Sequence, residues 1–197
     1  MEILIIRHGE SEADLLEVHE GRADFPLTEL GETQARKMAA AVAKEYPPEM
    51  ILSSTLRRVG TARILQEAIG CELKFYDDLR EFNNGVLAGM SRKEAAIKHP
   101  LPEGGRPVHI PIQDGESALD LRFWAERILR QILHDYQSYQ RIAIVSHDKM
   151  ISNLINAFLK LPIGDVVFPT GDTGIHLLEI REDMRVVRFM NRLDHLS

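Results

Sequence analysis

Ile3-Leu4-Ile5-Ile6 is an unbroken aliphatic run that passes directly into Arg7, His8, Gly9 and Glu10. A strand with one wet face alternates apolar and polar residues, so a run that is apolar on both sides belongs to a strand covered on both faces. Parallel sheets flanked by helices provide that setting. The run therefore predicts a central strand, and it places a permanent cation and a titratable imidazole at the strand's carboxyl tip.

The rest of the chain fits this frame. Strand-like runs fall at Glu2 to Ile6, Met50 to Ser53, Glu72 to Phe75 and Ile142 to Ser146, with a terminal hairpin of Gly174 to Ile180 and Arg185 to Phe189. Segments of helical period separate them. Thr28 opens a helix that Pro47 and Pro48 stop near Tyr46, and Leu56 to Ile69 ends at Gly70. Ser91 to His99 halts at Pro100, Glu116 to about Tyr139 is long and amphipathic, and Lys149 to Leu159 precedes Pro162. Alternating strands and helices predict a three-layer α/β/α fold with a mostly parallel central sheet and one antiparallel edge strand. One domain is expected over residues 1–197, with a small irregular cap insertion at about 83–115, where Pro100 to Gly115 holds four prolines and three glycines.

A net charge of -6 argues against a surface that gathers nucleic acid or anionic lipid. Cys71 is the single cysteine, which fits a reducing compartment, and no apolar run approaches the ~20 residues of a bilayer span. With no signal-peptide pattern at the N-terminus, the expectation is a cytoplasmic protein that binds neither membrane nor nucleic acid. A homodimer is left open.

Ligands of open α/β sheets bind beyond the carboxyl ends of the strands. Arg7, His8 and Ser11 follow the first strand, Ser53 to Arg58 the second, Arg80, Glu81, Asn83 and Asn84 the third, and Ser146, His147 and Asp148 the fourth. Two imidazoles, guanidinium groups and a carboxyl would thus meet on one rim. Guanidinium forks suit phosphate oxygens, imidazole is a nucleophile near neutral pH, and a carboxylic acid of raised pKa can protonate a departing alkoxide. Phosphoryl transfer needs little beyond such positioning and charge.

Arg7-His8-Gly9-Glu10-Ser11 resembles the RHGE(S/T) signature of the histidine phosphatase superfamily, which includes cofactor-dependent phosphoglycerate mutases and many small phosphatases. Four further blocks resemble the family in order: Asp24 to Thr28 with Gly31, Ser53 to Ala62, Leu79-Arg80-Glu81 with Gly85 and Gly89, and Val145-Ser146-His147. The resemblance implies His8 as the nucleophile, Glu81 as proton donor, and Arg7, Arg57 and His147 as holders of the phosphoryl oxygens, with Ser11 and Gly21 beside them. It selects Arg57 over Arg58, because family spacing puts the arginine four residues after Ser53. It also implies a small-molecule phosphomonoester as substrate, a phosphohistidine intermediate, and neither metal nor cofactor.

Two positions depart from the pattern. Asp14 stands where many relatives carry asparagine, and Glu20 where many carry glutamine. Either these acids face solvent or pair with Arg22, or they line the pocket mouth and disfavour a second phosphate. Asn83, Asn84, Leu87, Met90, His109 and Ile110 are candidates for the leaving-group side. The insertion offers only Arg106 as a cation, with Arg80, Arg92 and Lys93 expected to face solvent, so hydrolysis is favoured over return transfer. Alternatives are a phosphoglycerate mutase, a catalytically inactive phospho-ligand binder, and a metallohydrolase using His8, His147 and Asp24 or Asp148.

Overall fold

The computed structural model describes residues 1–20, 25–54, 60–164 and 166–197. Six strands form one mixed sheet: β1 (Glu2–Arg7), β2 (Met50–Ser53), β3 (Glu72–Phe75), β4 (Arg141–Ser146), β5 (Ile175–Arg181) and β6 (Met184–Arg192). Their spatial order is β3-β2-β4-β1-β5-β6. The first four are parallel to one another, and the terminal hairpin adds the antiparallel pairings, β5 against β1 and β6 against β5.

The aliphatic run is buried on both faces, as its pattern requires. Ile3 and Ile5 pack with Leu52, Ile142 and Ile144 under the helices α5 (Ala118–Asp135) and α6 (Asp148–Leu159). Leu4 and Ile6 point the other way and join Ile51, Ala143 and Val145 under α2 (Glu29–Glu45) and α3 (Gly60–Ile69). Consecutive side chains of one strand thus serve two separate cores, which is the physical content of the three-layer arrangement.

Local chemistry sets the helix limits. Thr28 Oγ1 accepts from Gly31 N–H at 2.9 Å and fixes the start of α2. The expected helix from Glu116 begins instead at Ala118, because Ser117 is its N-cap with extended backbone and exchanges hydrogen bonds with Asp120. It ends at Asp135 rather than near Tyr139. The short α4 (Arg92–Lys98) has Ser91 as its cap. A four-residue helix, α1 (Glu12–Leu15), was not expected; one turn is too short to leave a periodic signature. The expected helix start at Leu56 falls partly outside the described residues. No described helix is long and apolar enough to cross a membrane.

Two backbone contacts position the first strand's tip. A Cβ on Gly9 would lie 2.3 Å from Gly31 O, and one on Gly31 would lie 2.0 Å from Glu10 O. The loop after β1 and the first turn of α2 therefore touch through bare backbone, which explains why glycine is required at both positions although neither has positive φ. Gly31→Ala is expected to lower stability by about 1–3 kcal/mol, the usual cost of forcing atoms into a filled space, measured as a drop in urea midpoint with an unchanged denaturant slope.

Candidate active site

β1 and β4 are adjacent parallel strands whose register pairs Arg7 with Ser146. The next residues along, His8 and His147, therefore emerge side by side, and their ring centroids lie 5.0 Å apart at 62°. The two imidazoles are 97–98% buried. Around this pair the chain switches faces, since β1 leads to α2 on one side and β4 leads to α6 on the other; such a switch point opens a crevice at the strand tips.

Each ring is held in a defined way. His8 Nδ1 lies 2.8 Å from Gly9 O, and a carbonyl only accepts, so Nδ1 carries the proton and Nε2 presents its lone pair. Gly9 N–H donates to Thr61 Oγ1 at 3.1 Å, fixing that carbonyl's peptide neighbourhood. His147 is the N-cap of α6, with Ser54 Oγ 3.4 Å from its Nε2. A helix start offers orphan N–H groups and a positive dipole end, both favourable to an anion.

Arg7 is tied down from three directions. Nη1 donates to Thr170 O at 2.8 Å and pairs with Asp172 at 3.2 Å, while Nη2 pairs with Asp14 at 3.3 Å. Its Nε is buried without a hydrogen-bond partner among the described residues. Behind it, Asn191 N–H donates to His176 Nδ1, so His176 Nε2 carries the proton and donates to Thr170 Oγ1 at 3.0 Å. Burial pushes the His176 pKa down to about 4, which keeps this buttress neutral.

Glu81 follows a loop anchored at its base by Ser146 Oγ, which donates to Leu79 O at 2.8 Å. Its side chain is buried, and Oε1 accepts from Phe82 N–H at 2.7 Å. Burial raises its pKa; the Phe82 hydrogen bond and Lys149 oppose this, and Glu20 and Asp148 add to it. A carboxyl of this kind holds its proton to higher pH than a solvated one. Glu116 accepts from Asn83 N–H at 3.1 Å and holds the far end of the same loop.

Part of this set lines a pocket of about 150 Å3, in whose wall His147 is not included. Arg7, His8, Glu81 and Asn84 are in its wall, and so are both acids that depart from the family pattern. Asp14 is partly buried in this wall, with its side chain 28% exposed. Burial pushes its carboxyl up, but two hydrogen bonds from Ser11 and the charges of His8 and Arg7 outweigh this and hold it below the usual value. Glu20 accepts from Ser11 Oγ at 3.1 Å and, with His8 and His147, presents a ligand atom within 4.8 Å of the others.

Several expectations need correction. Arg92 faces the pocket rather than solvent, because Val18 bridges to Ser91 and Arg92 N–H donates to Glu17 O, drawing the start of α4 over the β1 loop. Arg106 is absent from this wall and donates to Pro111 O. Of the six leaving-group candidates only Asn84 lines the pocket; His109 and Ile110 are exposed, Leu87 packs toward the core, and neither Asn83 nor Met90 reaches the wall. Lys149 and Asp148, on the first turn of α6, also line it. Gly21, Arg22, Asp24, Arg57 and Arg58 lie outside the described residues.

Thr170 and Asp172 escaped the sequence reading for a geometric reason. They precede β5, and because β5 runs antiparallel to β1 its entry lies on the same rim as the exits of the parallel strands. The turn-like Thr170-Gly171-Asp172-Thr173-Gly174 ahead of a terminal hairpin was the available signal.

The family model for the histidine phosphatase superfamily (branch 1) matches residues 3–193. The chain belongs to that superfamily. It is 33% identical over 168 residues to the probable phosphoglycerate mutase GpmB of Escherichia fergusonii, covering 82% of this chain and 76% of that one. Solved structures share the fold: the α-ribazole phosphatase from Shigella flexneri at TM-score 0.86 and 24% identity, covering 98% of this chain and 96% of that one. The mycobacterial glucosyl-3-phosphoglycerate phosphatase complexed with VO3 follows at TM-score 0.85 and 24% identity, covering 96% and 98%.

Glu81 allows a test independent of turnover. Its folded pKa is raised, so the native state is favoured most below the unfolded carboxyl value of about 4.3 and loses stability as pH rises toward the folded value. Glu81→Gln removes that ionisation while keeping an acceptor for Phe82 N–H. The variant's melting temperature should exceed the parent's by a margin that grows from pH 4 upward and vanishes below it.

Proposed function

We propose that the protein hydrolyses phosphomonoesters through a phosphohistidine intermediate on His8. The observation that carries this reading is the pairing of His8 and His147 at 5.0 Å, with a proton-retaining Glu81 in the same pocket. His8 Nε2 attacks phosphorus in line with the ester oxygen, whose bond breaks as the Glu81 proton passes to it. Arg7 and His147 hold the phosphoryl oxygens, and Arg57 is assigned the same role from its place in the family pattern. Water then attacks the phosphohistidine, giving its proton to the Glu81 carboxylate and restoring the acid. Deep burial of His8 excludes bulk water from the nucleophile until the alcohol leaves.

The reaction as written uses no metal and no cofactor, and the protein is taken to work in the cytoplasm on a small phosphorylated metabolite. Two specific observations favour other readings. Arg92 and Lys149 in the pocket could receive a substrate carboxylate, as a phosphoglycerate mutase needs, and one relative carries that name. The His8, Glu20 and His147 ligand atoms could instead hold a metal ion. The retained residues speak against a purely binding role.

His8→Ala should abolish turnover and yield no acid-labile phosphoenzyme, whereas Glu81→Ala should slow esters of poor leaving groups by at least about tenfold more than esters of good ones, since general acid catalysis contributes on the order of 10²–10⁴. Equal slowing of both ester types contradicts the acid assignment.

Activity should survive exhaustive chelation and be inhibited by orthovanadate, and phosphate release should outpace phosphoglycerate interconversion in parallel assays. Loss on chelation with recovery on adding zinc would favour the metal reading, and dominant interconversion the mutase.

A further inference from the structure

A second recess, of about 290 Å3, adjoins the catalytic pocket and shares Asp148 and Lys149 with it. Its wall is mainly apolar: Phe82, Leu121, Ile163, Val166 and Val167, set between α5, α6 and the loop that follows α6. Phe82 is the residue next to Glu81, and Lys149 Nζ lies 4.6 Å above its ring. The recess therefore opens on the side of the pocket where the acid meets the departing oxygen. An alcohol released at Glu81 has this apolar surface beside it.

One polar group in the wall is incompletely bonded. Asn156 is 95% buried, and both of its amide protons are committed, to Ser152 O at 2.8 Å and Val166 O at 2.9 Å. That pairing with two carbonyls fixes the amide's orientation, and Oδ1 has no donor among the described residues. Oδ1 is itself sealed from the recess, so what the wall presents is mainly apolar surface. Arg122, the other cation here, is matched by Glu126 at 2.8 Å and by Leu161 O, so the recess offers little to a second anion.

We infer that this recess binds the alcohol half of the substrate, and that the preferred esters carry a bulky, largely apolar ring system. The inference rests on the hydrolase reading above for the placement of the ester oxygen. Size is consistent with it: an apolar cavity of roughly 150 Å3 holds benzene, so the larger recess accommodates a bicyclic ring. Small polyol phosphates would leave the apolar wall unused.

The test compares 1-naphthylmethyl phosphate with ethyl phosphate, both esters of primary alcohols, so that leaving-group quality is close. The naphthylmethyl ester should show at least about tenfold higher kcat/KM, the discrimination a filled apolar pocket supplies. Ala118→Trp, at the exposed first position of α5, puts an indole into the mouth of the recess without entering the core. It should cut that ratio by about tenfold. Calorimetry with 1-naphthylmethylphosphonate and methylphosphonate reads the same preference without chemistry. Equal affinities of the two phosphonates, or a ratio unmoved by Ala118→Trp, overturn the recess assignment. Absence of phosphate release from every ester would refute the hydrolase reading alone, because the phosphonate affinities still decide the recess.

Discussion

The parallel pairing of β1 with β4 is the constraint on which the rest depends. With Arg7 opposite Ser146, the residues that follow are forced into neighbouring positions at the strand tips, and two imidazoles 139 residues apart in sequence become one site. A shift of one residue in this register would turn alternate side chains toward the opposite helix layer. The aliphatic residues of both strands prevent it, because each face already has a packed partner. The hydrophobic pattern that builds the core therefore also sets the catalytic geometry.

Around that pair the structure divides its labour between rigid anchors and charge. Arg7 is held by Thr170, Asp172 and Asp14, and Thr170 in turn by His176. Surface ion pairs between long side chains contribute little, but here a half-buried guanidinium is fixed by several short partners, so its value lies in orientation. The acids serve the same end. Asp14 caps α1 and braces Arg7, while Asp172, whose pKa burial raises and Arg7 lowers, sits on the other side of the guanidinium. An anion entering the pocket would thus meet a guanidinium that is already in place.

Much of this was legible in the chain. Buried strands announce themselves as aliphatic runs, and polar residues at their carboxyl ends are conspicuous because nothing in the core needs them; His8, Glu81 and His147 were found in that way. That pattern put His8, Glu81 and His147 on one rim, but their assigned roles came from the family resemblance alone. What escaped notice follows from what a linear pattern omits. Lys149 and Arg92 begin helices and look like ordinary solvated cations until the fold turns those helices over the site. Asp172 enters through a reversed strand, where the rule about carboxyl ends does not apply. Asp14 read as a substitution in a phosphate pocket, yet its carboxylate mainly organises the chain around Ser11. The recess had no sequence signature, since its wall comes from three separated segments.

Helix α6 carries one last implication. It starts at His147, passes Lys149, and continues through Ser152 and Asn156 along the floor of the recess. Rising ~1.5 Å per residue, a single rigid rod runs from the histidine pair to the apolar recess, and on the proposed reading it would act as a ruler. Ligands would be sorted by the span between ester oxygen and ring: a linker too short strands the ring above Lys149, and one too long must buckle. Length discrimination would then come from backbone hydrogen bonding, and point substitutions in the wall would alter which ring is accepted while leaving that span unchanged.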